Sequence, residues 1–223
     1  MQFNIKTLTL IIAAISLAGC NSISSKHIKC DDERTTALIT QDLQESLNKS
    51  LEIKLKQLIK NGAIQDLDPA KLKLSAKSVQ FNLVDSRTEY VDPDSPKTKC
   101  TIDLTTTIPS DVVKKADDAR AKVNYETVAE LAVKSNLDLD SNKIKLALEY
   151  TVQPTDKGDK VIVKLNNKLA MQNLTADILT SAFLKPQIEK NNIKSMQSEY
   201  GYNANEVFEN AAVVDAPEYY EGE

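Results

Sequence analysis

Ile39, Leu43, Leu47, Leu51, Leu55, Leu58 and Ile59 follow one another at steps mostly of three or four residues. That spacing lines one side of an α-helix with hydrocarbon. The stripe opens after Asp31-Asp32-Glu33, acids that suit the positive end of a helix dipole, and closes at Asn61-Gly62, a good helix stop. A single apolar stripe must be buried against another layer, so the rest of the chain has to supply a surface that receives it. At about thirty residues the helix is long for a globular domain, and a kink or break within it stays an open alternative.

The hydrophobic period then changes to two. Leu72, Leu74 and Ala76 share one parity and Val79, Phe81 and Leu83 the other, which predicts strand structure with a bulge near Lys77-Ser78. Arg87 to Lys99, with two prolines and three acids, reads as a long turn. Cys100, Ile102, Leu104, Thr106 and Ile108 alternate as a second strand closed by Pro109. Ser110 to Ser135 is helical in pattern, in two pieces meeting near Asn124, with Val112, Val113, Ala116, Ala119, Val123, Val128, Leu131 and Ala132 as its apolar face. Ile144, Leu146, Leu148, Tyr150 and Val152 form a third strand. Asp156-Lys157-Gly158-Asp159 turns it into a fourth at Val161, Val163 and Leu165. Leu174, Ile178, Leu179, Ala182 and Phe183 give a last short helix that ends before Pro186.

These elements predict an α+β domain over residues 31–190, with helices packed on one face of a roughly four-stranded antiparallel sheet. A helix–strand–strand order occurs at 31–108 and again at about 112–166, without a residue-level repeat. The arrangement is loosely similar to the cystatin-type helix-on-sheet modules found in envelope lipoproteins. That likeness is one of layout and carries no residue across.

Ahead of the domain, Lys6 flanks an apolar run from Leu8 to Leu17 that is interrupted only by Thr9 and Ser16, and Ala18-Gly19 places small residues before Cys20. The run is about half the roughly 20 residues that a spanning helix needs. Leu17-Ala18-Gly19-Cys20 resembles the lipobox that ends the signal peptide of bacterial lipoproteins. The resemblance implies removal of residues 1–19, lipidation (palmitate among the acyl chains) at Cys20, and stable membrane attachment, because two or more acyl chains hold where one is marginal. It also implies a location: Asn21 stands where Asp would retain a lipoprotein in the inner membrane, which favours the periplasmic face of the outer membrane. Residues 20–30 then form a lipidated tether whose nine linking residues, Asn21 to Lys29, reach at most about 30 Å.

With Cys20 acylated, Cys30 and Cys100 remain. In an exported chain such a pair reads as one disulfide, which would tie the start of the first helix to the start of the second strand. The alternatives are a metal pair and a redox pair. A metal site wants further Cys or His ligands and the chain has one His, while redox pairs usually sit close together and these are 70 residues apart.

Other chemistry is sparse. Lys and Arg number 28 against 32 Asp and Glu, which gives no basic excess for nucleic acid. Trp is absent and Gly numbers five, so neither a stacking platform nor a glycine-rich phosphate loop is legible. His27, in the tether, is badly placed to serve as a catalytic base. Asp103 falls on the opposite strand parity from Cys100, Ile102 and Leu104, which assigns it to an exposed sheet face. Asp138, Asp140, Asn142 and Glu149 match positions 1, 3, 5 and 12 of a calcium loop, but Lys143 occupies the glycine position and Ile144 onward alternates like a strand. The run reads as a polar turn. No catalytic residue, metal or cofactor is assigned.

Residues 191–223 form a last region. From Ser195 onward it holds seven acids, no Lys or Arg, and four of the seven tyrosines: Tyr200, Tyr202, Tyr219 and Tyr220. It has no sustained apolar period, which predicts an acidic disordered tail. Its tyrosines are candidate anchors for a partner that the acids would steer. The functional expectation is therefore a non-enzymatic, membrane-anchored lipoprotein that binds or supports another cell-envelope component. The alternative is a periplasmic carrier of a small apolar ligand held between helices and sheet.

Overall fold

A computed structural model describes residues 27–62 and 68–199. Asp32 begins the first helix, α1 (Glu33–Lys60), by accepting a hydrogen bond from the Arg34 amide at 2.9 Å. The helix is unbroken. Ile39, Leu43, Leu47, Leu51 and Leu55 are buried, but Leu58 is half-buried and Ile59 exposed, so the apolar stripe stops before the helix does.

The strand expected at Leu72–Ala76 is instead a second helix, α2 (Pro69–Ala76). Asp68 caps it by accepting from the Ala70 amide at 2.9 Å, and Pro69 sits in its first turn. These start signals outweigh a short alternation. Leu72 and Ala76, four residues apart, are buried while Leu74 between them is 60 % exposed. The parity change at Lys77-Ser78 is the end of this helix and not a bulge. Bulges do occur further along, in β1 (Gln80–Val91), between Val84 and Arg87 and between Thr88 and Tyr90. Asp85, in the first of them, has φ 54°. The long turn expected from Arg87 to Lys99 shrinks to residues 92–97, because β1 continues to Val91 and β2 (Thr98–Thr107) starts early. Asp92 folds this turn by accepting from the Ser95 hydroxyl at 2.6 Å and the Asp94 amide at 3.0 Å.

The sheet has five antiparallel strands rather than four, in the order β1-β2-β4-β3, with β5 also on β4. The long central pair joins β2 to β4 (Lys143–Pro154) along the whole of β2. β3 (Asp138–Asp140) and β5 (Val161–Leu165) share the far edge of β4. Asn167 fills the gap between them. Its side-chain amide donates to the Ala147 carbonyl and its side-chain oxygen accepts from the Glu149 amide, each at 2.9 Å. One side chain thus supplies the donor and acceptor that a missing strand residue would have offered.

The helical stretch after β2 divides as its sequence predicts. α3 (Ser110–Ala121) and α4 (Val128–Lys134) flank Asn124, which takes φ 55°. Thr127 and Glu130 form a capping box at the start of α4. The last helix differs from expectation. α5 (Leu169–Glu199) runs through Pro186, and its backbone continues beyond residue 190. Proline costs a helix one hydrogen bond, but contacts with α3 grip α5 on both sides of it. Ser181 accepts from Arg120, Lys185 pairs with Asp118 at 2.8 Å, and Glu189 pairs with Lys122 at 2.7 Å. The first residues assigned to the tail are therefore part of this helix.

The helices lie on one face of the sheet. That face carries Cys100, Ile102 and Leu104 of β2 and Ile144, Leu148, Tyr150 and Val152 of β4, packed against Leu43 and Leu47 of α1 and Met171, Leu174 and Ile178 of α5. The opposite face carries half-buried and exposed residues such as Thr101, Thr105, Lys145 and Glu149.

Candidate functional site

The chain is fastened covalently to the body of the molecule at Cys30. Lys29 is exposed, whereas Cys30 is 3 % exposed and forms a disulfide with Cys100, their Cα atoms 5.8 Å apart. The sheet register explains what surrounds this bond. Cys100 lies opposite Thr88 on β1 and opposite Tyr150 on β4. The Thr88 hydroxyl donates to the Cys30 sulfur at 3.3 Å. The Tyr150 hydroxyl donates to the Cys30 carbonyl at 2.7 Å and accepts from the Ser86 hydroxyl at 2.6 Å. Three adjacent strands converge on one residue. Tyr150 is 1 % exposed, and burial pushes its phenol above the usual tyrosine value, aided by the charge of Asp31 and opposed by the Ser86 bond. Tyr150 is thus a neutral hydrogen-bonding post.

The uncovered sheet face is polar. Arg87 reaches across from β1 and grips both Asp103 oxygens at 2.7 and 3.0 Å, which holds the Asp103 carboxyl below the ordinary aspartate range. The Lys99 ammonium sits 5.8 Å from the centre of the Tyr90 ring.

On the helical side, a groove of about 550 Å³ opens between α2, α3 and α5. Val112, Leu179, Ala182 and Phe183 give it an apolar lining, and Lys71 and Lys115 stand at its rim. Beside it, Asp118 and Glu189 are held below their usual carboxyl values by hydrogen bonds from Lys185 and Lys122 respectively.

Residues singled out from the sequence are distributed unevenly. Cys30 and Cys100 are joined. Cys20, Tyr200, Tyr202, Tyr219 and Tyr220 lie outside the described residues. His27 is exposed. Asp138 and Asp140 belong to β3 and Glu149 to β4, while Asn142 donates to the Ile108 carbonyl at 2.5 Å and Asp140 pairs with Lys145 at 3.3 Å, so the calcium-like spacing is spent on a β-hairpin. Among the described residues no group of three or more His, Cys, Asp and Glu gathers as a metal site, and no helix is long and apolar enough to cross a membrane. Tyr150 and Asn167 carry roles that sequence reading missed. Both depend on strand register, which alternation alone does not fix. The chain matches no protein-family model, no curated protein and no solved structure.

Proposed function

We propose that this chain is a lipid-anchored envelope lipoprotein, held through acylated Cys20 on the periplasmic face of the outer membrane. In this reading the folded body is non-enzymatic and binds or supports another envelope component. The observation that carries the reading is the fastening at Cys30. The nine residues after Cys20 lead directly into a residue bonded covalently to β2 and hydrogen-bonded to β4. A domain that hangs from its N-terminus needs the chain fixed where it enters the body, and a disulfide between these positions suits an oxidising compartment. The tyrosines of the acidic segment, Tyr200, Tyr202, Tyr219 and Tyr220, are the proposed partner anchors.

The test is metabolic labelling with palmitate, followed by separation of inner and outer membranes. The wild-type chain should carry label and appear in the outer-membrane fraction, and Cys20→Ser should carry none. Label retained by that variant refutes the anchor. A second reading, a carrier of a small apolar ligand, is favoured by the groove between α2, α3 and α5, whose volume of about 550 Å³ falls in the range of ligand pockets. Native mass spectrometry separates the two: lipid-sized additional mass supports the carrier, and a stoichiometric co-purifying protein supports the adaptor.

A further inference from the structure

One corner of the uncovered sheet face gathers three lysines, one of which, Lys99, lies by the Tyr90 ring. The register places Tyr90 opposite Lys99, Lys99 opposite Thr151, and Thr151 opposite Lys164, a single row across four strands. Lys97, two residues before Lys99, joins them, and a cavity of about 390 Å³ lies between these side chains and Gln153. Neighbouring strands are about 4.8 Å apart, so the Lys99 and Lys164 backbones are separated by roughly 10 Å across Thr151. Their flexible stems allow both ammonium groups to converge on one oxyanion. Among the described residues none of Lys97, Lys99 and Lys164 is ion-paired. The carboxylate at the rim, Asp92, is turned into the β1–β2 turn by Ser95 and the Asp94 amide and also feels the charge of Lys97. Three ammonium groups outnumber it.

The place of this corner is as informative as its charge. Lys99 precedes Cys100, the residue that holds Cys30. The corner therefore lies at the root of the tether, on the reverse side of the sheet from the disulfide. A chain of nine residues reaches at most about 30 Å, so a chain anchored at Cys20 keeps this corner within reach of the bilayer surface. Tethering also makes the encounter intramolecular, which lets individually weak contacts suffice.

We infer that the Lys97–Lys99–Lys164 corner docks the phosphate of an anionic phospholipid in the leaflet that holds the anchor. The inference rests on the lipid-anchor reading. Its consequence is orientation: the body lies with the root of its open sheet face against the membrane and its helical groove toward the aqueous side.

Lysine footprinting tests it. The protein is purified with its anchor, bound to vesicles of phosphatidylcholine alone or of phosphatidylcholine with phosphatidylglycerol, and acetylated briefly before mass spectrometry. A lysine held near an anionic surface gains about a five-fold preference. Lys97, Lys99 and Lys164 should accordingly react about five-fold more slowly on the phosphatidylglycerol vesicles. Lys157, at the same end but outside the corner, and Lys49 and Lys114, exposed on or beside helices elsewhere, should react at equal rates on both. Equal rates at the three corner lysines would overturn the inference, as would equal slowing at Lys157. Protection by inorganic phosphate on pure phosphatidylcholine vesicles, without protection by phosphatidylglycerol, would also overturn it in favour of a soluble anion. Failure to associate with either vesicle is a different result, which refutes the anchor itself.

Discussion

Replacing Tyr150 with Phe deletes one buried hydroxyl and leaves the ring in place. In the native protein that hydroxyl joins Cys30 to Ser86 through bonds of 2.7 and 2.6 Å. Ser86 is half-buried and can turn to water. The Cys30 carbonyl cannot, because the disulfide to Cys100 pins its residue against the sheet. A lost hydrogen bond costs about 1 kcal/mol, and a buried acceptor left without a partner about 1–3 kcal/mol. Tyr150→Phe should therefore destabilise the domain by about 2–3 kcal/mol, a fall in Tm of about 5–10 °C for a chain of this size. The sharper expectation concerns coupling. In a Cys30→Ser/Cys100→Ser background the chain at residue 30 is free to move and its carbonyl can be hydrated. There the same Tyr150→Phe change should cost at least about 1 kcal/mol less. Urea and thermal unfolding of the four proteins in this cycle provide the measurement. Strictly additive costs, or a Tyr150→Phe cost within about 0.5 kcal/mol of zero, would refute the claim that the disulfide and the phenol act on one point.

Other outcomes follow from the same geometry. Cys100→Ser opens a link that closes a separation of 70 residues, so it should cost about 4 kcal/mol by the chain-entropy account, and native protein should show no titratable thiol at Cys30 or Cys100 without reductant. Asn167→Ala should speed amide exchange at Glu149, whose N–H loses its acceptor, while costing only about 1 kcal/mol because water can reach this edge. The Asp103, Asp118 and Glu189 carboxyls are depressed in the folded state by Arg87, Lys185 and Lys122. Their stabilisation is complete above the ordinary carboxyl values near about pH 4 and is lost as pH falls through the depressed ones. Tm should thus drop on acidification below about pH 4, and Asp118→Asn should flatten that drop; a slope unchanged by the substitution would remove the α3–α5 pair from the account. A chain ending at Lys194 should keep its Tm, whereas one ending at Leu184 loses Lys185 and Glu189 and should melt lower.

β2, β4, β5 and the first helix were legible because their apolar residues keep one period for long enough to exclude the other, whereas β1, broken by bulges, and the short β3 were not. Cys100 to Ile108 alternates without a lapse and covers most of β2; Ile39, Leu43, Leu47, Leu51 and Leu55 step by four and are all buried. Leu72, Leu74 and Ala76 resemble a strand although they are helical, because three residues at spacing two also contain a pair at spacing four. The deciding information was the Asp68 cap and Pro69 ahead of them. Pro186 looks like a stop and is not one. Its local cost is set by the helix, but the tertiary contacts that hold α5 across it, buried Ile178, Leu179 and Gln187 and the pairs to Asp118 and Lys122, join distant residues and leave no local pattern. The same holds for the site. The Cys30–Cys100 pairing was expected from the sequence once Cys20 is set aside for acylation, whereas the row from Tyr90 to Lys164 exists only once the register of four strands is set.

The disulfide also determines how the molecule answers a pull. Tension applied at the N-terminal end arrives at Cys30, ahead of α1. From there it divides, one branch running along the peptide chain into the helix and the other crossing the sulfur bridge into β2. β2 is laced to β1 on one side and β4 on the other, so the second branch loads two ladders at once. α1 is thereby shunted and cannot be unwound from its first turn without the sheet yielding. Tension at the opposite end meets no such bypass and falls directly on α5, whose hold is its buried face and its pairs to Asp118 and Lys122. The sulfur bridge thus gives the N-terminal side a covalent load path that the C-terminal side lacks.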